Sequence, residues 1–208
     1  MLLVGLTGGI ASGKSVIGSF FERQGAYLLR ADQEAHRLMV PGGPVWAEIR
    51  SRFGDRVLGA DGAIDRKALA RFVFDEPAAR RDLESIIQPR VIAAMKAEIA
   101  RLRAEGREDI YVSEAALIFE AGQADFYDRI VVAYCRPEIQ IERLMARDGI
   151  DRIQAGKRPA AQMDPEEKKA RADFVIDTSD SLEDTLARAE AVWARLKEEA
   201  RRTAGRRS

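Results

Sequence analysis

The chain has 208 residues, 46% hydrophobic and 33% charged, and its 34 basic side chains balance 34 acidic ones. A chain of this length buries about 70% of its unfolded surface, enough for a core without disulfide staples in one domain, with or without an insertion. Neutrality excludes a polyanion binder held by bulk charge, so no nucleic-acid partner is expected. A single cysteine, Cys135, and a single histidine, His36, exclude an internal disulfide and a Cys/His metal cluster, leaving oxygen-ligated ions such as magnesium. The apolar runs are strand-length, far short of the roughly 20 residues that cross a bilayer, and Met1 to Gly8 has no basic start before its apolar run. The expectation is a cytoplasmic protein without a membrane partner, a monomer or small homo-oligomer.

Five short runs read as buried strands: Leu2 to Thr7, Ala26 to Ala31, Ile110 to Glu114, Arg129 to Tyr134 and Asp173 to Asp177. They are nearly continuously apolar rather than alternating, as a parallel sheet covered on both faces requires, and helices must then make the crossovers. After the first strand, Val16, Phe20 and Phe21 open a helical apolar face. Between residues 32 and 108 no strong strand occurs, a stretch of about 75 residues that is too long for a simple crossover. It reads as a helical insert with turns at Pro41-Gly42-Gly43-Pro44 and Gly59 to Gly62. Within it Val91, Met95, Ile99 and Leu102 share a face, and Pro89 marks a helix start or kink. The run from Arg143 to Arg171 carries eight basic and five acidic residues, either a solvated face or a lid that closes over phosphate. The last helix has Leu182, Leu186, Ala189, Trp193 and Leu196 on one stripe behind an Asp180-x-x-Glu183 capping pattern. The basic end, Arg201, Arg202, Arg206 and Arg207, reads as a solvated terminus, with nucleic-acid contact as the weaker alternative.

Directly after the first strand stands Gly8-Gly9-Ile10-Ala11-Ser12-Gly13-Lys14-Ser15, a complete GxxxxGKS pattern in the required order of strand, loop and helix. Glycines let backbone N–H groups converge on phosphate oxygens, and the helix N-terminus adds partial positive charge at the same point. Lys14 then reaches the β- and γ-phosphates of a nucleotide and the Ser15 hydroxyl ligates magnesium. The sequence contains no asparagine, which removes the Asn-Lys-x-Asp guanine loop of GTPases. The Ser113-Glu114 ending of the third strand is a poor match to the acidic pair of motor ATPases. Asp32 ends the second strand, where it either takes a proton from an acceptor hydroxyl or caps the helix expected from Gln33. His36, one turn on, is read as a packing or surface residue before a catalyst.

The chain resembles the dephospho-coenzyme A kinases along nearly its whole length. The resemblance rests on Leu6 to Ser15, Ala31-Asp32 leading to Val40-Pro41-Gly42, Leu117-Ile118-Phe119-Glu120, Ala161-Gln162-Met163 and Arg171 to Asp177. It implies a three-layer α/β fold of the P-loop, nucleotide-kinase type: a five-stranded parallel sheet with a helical substrate-binding insert and a lid. The core would be residues 1–32 and 109–208 with the lid at about 143–171, and residues 33–108 would receive dephospho-coenzyme A. The implied reaction is transfer from ATP, with magnesium, to the 3′-hydroxyl of the acceptor's ribose. Asp32 would be the catalytic base and Lys14 a catalytic group. Gly8, Gly9, Ala11, Ser12, Gly13, Lys14, Ser15 and Val16 would form the ATP site, with Ser15 on the metal and Arg147 and Arg158 as lid contacts to phosphate. Four positions depart from the family pattern: Arg30 where Asp is common, Gln88 where His is usual, Ala116 for Pro and Thr178 for Asn. Another phosphate-loop kinase, or an ATP-binding module without catalysis, are the alternative readings.

Overall fold

The structure is a computed structural model in which residues 1–106 and 110–205 are described. In chain order the elements are β1 (Leu2–Thr7), α1 (Lys14–Arg23), β2 (Tyr27–Arg30), α2 (Ala31–Leu38), α3 (Pro44–Phe53), α4 (Arg66–Asp75), α5 (Pro77–Ala104), β3 (Ile110–Glu114), β4 (Arg129–Tyr134), α6 (Pro137–Asp148), α7 (Arg152–Lys157), α8 (Pro165–Ala170), β5 (Phe174–Asp177) and α9 (Leu182–Gly205). The chain divides into two compact units, residues 1–30 with 102–208, and residues 31–101. No described helix is long and apolar enough to cross a membrane.

The first unit is built on a five-stranded sheet in the order β2-β3-β1-β4-β5, and every pairing is parallel. The expected sheet is therefore present, with β1 central and all strands ending at one edge. Because successive strand residues face opposite ways, Leu2, Val4 and Leu6 of β1 point into a core with Ile17 and Phe21 of α1 and Ala189, Trp193 and Leu196 of α9. On the other face, Gly5 leaves room for Ile118, Tyr127 and Ile130, whose atoms lie 2.8–3.0 Å from where its Cβ would stand. The inward face of α1 is Ile17, Gly18 and Phe21; Val16 instead is 39% exposed, because the loop starts the helix at Lys14 and turns residue 17 toward the sheet.

Three local expectations need correction. β2 stops at Arg30 and α2 begins at once, so Asp32 is the second residue of a helix, neither a strand end nor the cap of a later start; a carboxylate there also suits the positive end of the helix dipole. The start of α9 is capped one residue later than expected: Ser181 Oγ accepts from Asp184 N at 3.0 Å and donates to the Asp184 carboxylate at 2.6 Å. Leu182 consequently lies outside the buried stripe, 62% exposed. Pro89 does not start its helix but lies inside α5, the position of the kink alternative; one turn earlier the Ile86 carbonyl accepts from the Arg90 guanidinium at 2.6 Å, a side-chain bond beside the position where proline removes an N–H from the ladder.

The second unit has its own core of Val45, Ile49, Phe53, Val57, Leu69 and Ala79. Both expected turns close, Gly43 N on Val40 O at 3.0 Å and Gly62 N on Gly59 O at 2.9 Å. Asp65 caps α4 by accepting from Lys67 N and Ala68 N.

Trp193 is buried and stacked on Phe21 at 5.4 Å between ring centroids. Trp193→Ala is therefore expected to cost about 3–5 kcal/mol in urea unfolding, whereas Leu182→Ala stays within about 0.5 kcal/mol.

Candidate functional site

The loop between β1 and α1 is shaped by three left-handed or otherwise glycine-favouring positions: Gly8 at φ 148°, Ala11 at φ 58° and Gly13 at φ 82°. Ala11 is the one non-glycine among the described residues with positive φ, a conformation that costs about 1–3 kcal/mol and persists where surroundings enforce it. The chain closes on itself through Ser12 N to Gly9 O at 3.2 Å and Val16 N to Gly13 O at 3.1 Å. Lys14 folds over the loop, its Nζ donating to Gly8 O at 2.9 Å and Gly9 O at 2.8 Å. An ammonium, the N-terminus of α1 and the loop backbone thus meet at one point, the chemistry of a phosphate cradle.

Neighbouring elements brace this loop. A Cβ on Gly8 would stand 2.3 Å from the Ala133 carbonyl oxygen. Thr178, just past β5, donates its hydroxyl to Ser12 O at 2.9 Å or Tyr134 O at 3.1 Å, and a Cβ on Gly13 would press its side chain at 3.2 Å. Arg143 donates to Thr178 Oγ1 at 3.1 Å and Thr178 O at 2.5 Å. Gln140 is buried, with neither side-chain polar atom hydrogen bonded, and its Nε2 lies 2.6 Å from where a Gly9 Cβ would be. Gln162 Oε1 accepts from Ile10 N at 2.8 Å. Behind Gln162, fully buried Lys168 pairs with Glu120 at 2.8 Å and donates to Ala116 O at 2.8 Å, while Glu120 also accepts from Met163 N at 3.0 Å. The carbonyl of Ala116 is what these contacts need, and alanine supplies it as well as proline does.

Ser15 Oγ donates to Glu114 Oε1 at 2.7 Å. Glu114 is 8% exposed and its Oε2 is buried without a hydrogen bond. No group of three or more His, Cys, Asp or Glu side chains clusters to hold a metal among the described residues. A magnesium ion does not require one, since it keeps several waters and takes phosphate oxygens with one or two protein groups. The Ser15 hydroxyl, its proton held by the Glu114 carboxylate and its oxygen left to a cation, fits that pattern.

Of the other residues singled out in the sequence, Asp32 is exposed in the first turn of α2. His36, on the same helix, lies against the Arg66 guanidinium at 3.0 Å and 3.2 Å from its two ring nitrogens. Burial and Arg66 hold its pKa below the usual 6.5, with Asp32 opposing them. Arg147 and Arg158 both bind the Asp148 carboxylate. Arg201 and Arg202 continue α9, with Arg202 paired to Glu198; Arg206 and Arg207 lie outside the described residues. Sequence reasoning assigned no role to Gln140, took Arg143 only as one basic residue of the lid run, and weighed Glu114 only as a poor match to the acidic pair of motor ATPases. The spacing of Gln140 and Arg143 by three along α6, directly after an apolar strand, was the available signal for a polar face turned to the loop.

The family model described as Dephospho-CoA kinase matches residues 2–184. A curated Dephospho-CoA kinase from Geobacter sulfurreducens is 44% identical over 195 residues, 94% of this chain and 98% of that protein. One from Anaeromyxobacter dehalogenans is 43% identical over 197 residues, 95% and 93% of the two chains. Among solved structures, TT1252 from Thermus thermophilus superposes with TM-score 0.78 at 34% identity over 94% of this chain and 97% of that one. The dephospho-CoA kinase from Campylobacter jejuni gives TM-score 0.68 at 28% identity over 95% and 98%.

Gly8→Ala is expected to abolish nucleotide binding, because a methyl group at that site collides with backbone that cannot yield; nucleotide titration monitored by calorimetry checks it. For His36, the unfolded chain takes up more protons than the folded one as pH falls through the histidine range, so stability decreases below about pH 6.5. Proton NMR should place the His36 midpoint below 6.5, and Arg66→Met should raise it.

Proposed function

This chain belongs to the dephospho-CoA kinase family, and we propose that it phosphorylates the 3′-hydroxyl of the ribose of dephospho-CoA from ATP, giving coenzyme A and ADP in the last step of coenzyme A synthesis. The observation that carries the reading is the loop from Gly8 to Ser15, set at the ends of parallel strands with Lys14 over its carbonyls. Its N–H groups and Lys14 take the phosphates of ATP, and Lys14 exchanges its two carbonyl partners for phosphate oxygens. Magnesium, held by Ser15 with Glu114 beside it, supplies charge neutralisation on the β- and γ-oxygens when bound.

Asp32 is the proposed base. Its support is connectivity: β2 runs parallel to the sheet that delivers the loop, and Asp32 follows the last residue of β2 by two positions. The carboxylate would orient the acceptor hydroxyl and take its proton as the hydroxyl oxygen attacks in line, with the bond to the β,γ-bridging oxygen breaking and ADP leaving. No phosphorylated enzyme is required. Residues 33–108 are assigned to the acceptor, and residues 143–171 to a lid that excludes water. Arg147 and Arg158 reach phosphate within that lid by giving up Asp148. A single cysteine and balanced charge suit a cytoplasmic enzyme acting on a small molecule.

The test is transfer of labelled γ-phosphate to dephospho-CoA with magnesium present. Asp32→Asn is expected to lower kcat by about 10²–10⁴-fold with little change in ATP affinity, while Lys14→Ala loses both transfer and nucleotide binding. Near-normal turnover in Asp32→Asn would assign the base elsewhere.

A further inference from the structure

The ends of β2 and β3 carry a charged contact that the reaction above leaves unused. Arg30 and Glu114 are register partners in the parallel ladder. Arg30 donates to Ser19 Oγ at 3.0 Å and Glu22 Oε2 at 2.9 Å on α1, and its Nε stands 3.6 Å from Glu114 Oε2. The other oxygen of Glu114 holds the Ser15 hydroxyl at 2.7 Å. Ser15, Ser19 and Glu22 recur at spacings of four and three, one face of α1. That face is also where Gly18 lies so close that a Cβ would come within 2.7 Å of Glu114 Oε2. The carboxylate is thus wedged between a helix without a side chain and a guanidinium, with one oxygen on Ser15 and the other buried and without a hydrogen bond.

A glutamate side chain has three rotatable bonds, and a metal site gains when its supporting groups are already immobile. Nη2 of Arg30 is anchored twice on α1, so its Nε can hold the Glu114 charge at Oε2 and leave Oε1 to the Ser15 hydroxyl. An aspartate at position 30 could do neither.

We propose that Arg30 is a positioning residue for the metal–nucleotide complex: it acts through Glu114, fixing the carboxylate so that Oε1 keeps the Ser15 hydroxyl proton and leaves that hydroxyl's oxygen to magnesium. This rests on the assignment of Ser15 to magnesium. A purely structural Arg30, tying α1 to β2, would affect melting temperature alone and leave the response to magnesium untouched.

The experiment titrates the full chain with a fluorescent ADP, in magnesium and in chelator, and reads the ratio of the two dissociation constants. Wild type is compared with Arg30→Met, Arg30→Lys, Glu114→Gln and the double variant Arg30→Met/Glu114→Gln, with melting temperatures recorded for each. Arg30→Met is expected to reduce the magnesium enhancement by about 10-fold while chelator affinity stays within about twofold, and Arg30→Lys to recover part of the loss. In the Glu114→Gln background Arg30→Met should add nothing, as a residue acting through Glu114 requires. If Arg30→Met does not fold, Arg30→Lys and Arg30→Gln provide the same comparison. An unchanged enhancement in Arg30 variants, or effects of Arg30 and Glu114 that multiply, would overturn the proposal while leaving the metal assignment standing. A wild-type affinity indifferent to magnesium would overturn that assignment, and this inference with it.

Discussion

Between Gly8 and the carbonyl of Ala133 there is no space for a methyl group: a Cβ would stand 2.3 Å from that oxygen. This close approach of the end of β1 to β4 is the constraint from which the site follows. Gly8 takes φ 148° there, the chain leaves the sheet edge, and after the loop α1 begins at Lys14. With the helix started there, Ile17 and Phe21 face the core, Lys14 lies over the loop carbonyls and Ser15 meets Glu114. A side chain at position 8 would disturb the phosphate cradle, the metal-side hydroxyl and the registration of α1 together.

Buried polar groups then lock the loop from the side of α6, α8 and β5. Lys168 has no solvent exposure, so its charge depends on Glu120 and the Ala116 carbonyl; removing either partner leaves a buried ammonium inadequately paired, which is far costlier than losing a surface ion pair. Gln162 contacts Ile10 N and Thr178 contacts Ser12 O. The loop's posture is therefore sensitive to the segment between α7 and β5, which gives a physical route by which ordering of that segment and occupation of the phosphate site can influence each other.

Much of the fold was legible because parallel strands covered on both faces are written as short apolar runs, and four of the five run close to their expected limits. The exception, β2, ends early because Ala31 and Asp32 are as acceptable in a first helical turn as at a strand end, and composition alone does not separate the two. Ser181 displaced the expected cap since a hydroxyl at residue 181 and a carboxylate three residues later close the same reciprocal pair. The phosphate loop was legible as a pattern, because its glycines answer to backbone geometry that no other residue satisfies. Its bracing was not: Thr178, Gln140 and Glu114 lie 166, 131 and 99 residues or so from their loop partners in sequence, and only the strand order brings them together. Basic residues in a charge-rich stretch were equally opaque, since nothing in the sequence distinguishes Arg143, turned to Thr178, from Arg147 and Arg158, held by Asp148.

The most direct measurement is a crystal structure of the protein with dephospho-CoA and a non-hydrolysable ATP analogue, reading the distance from the Asp32 carboxylate to the ribose 3′-hydroxyl. The account predicts about 3 Å or one intervening water, the reach of a base that takes that proton, with the γ-phosphate in the Gly8–Ser15 loop. A complex in which both ligands are seated and Asp32 faces solvent, with another group on the hydroxyl, would contradict it.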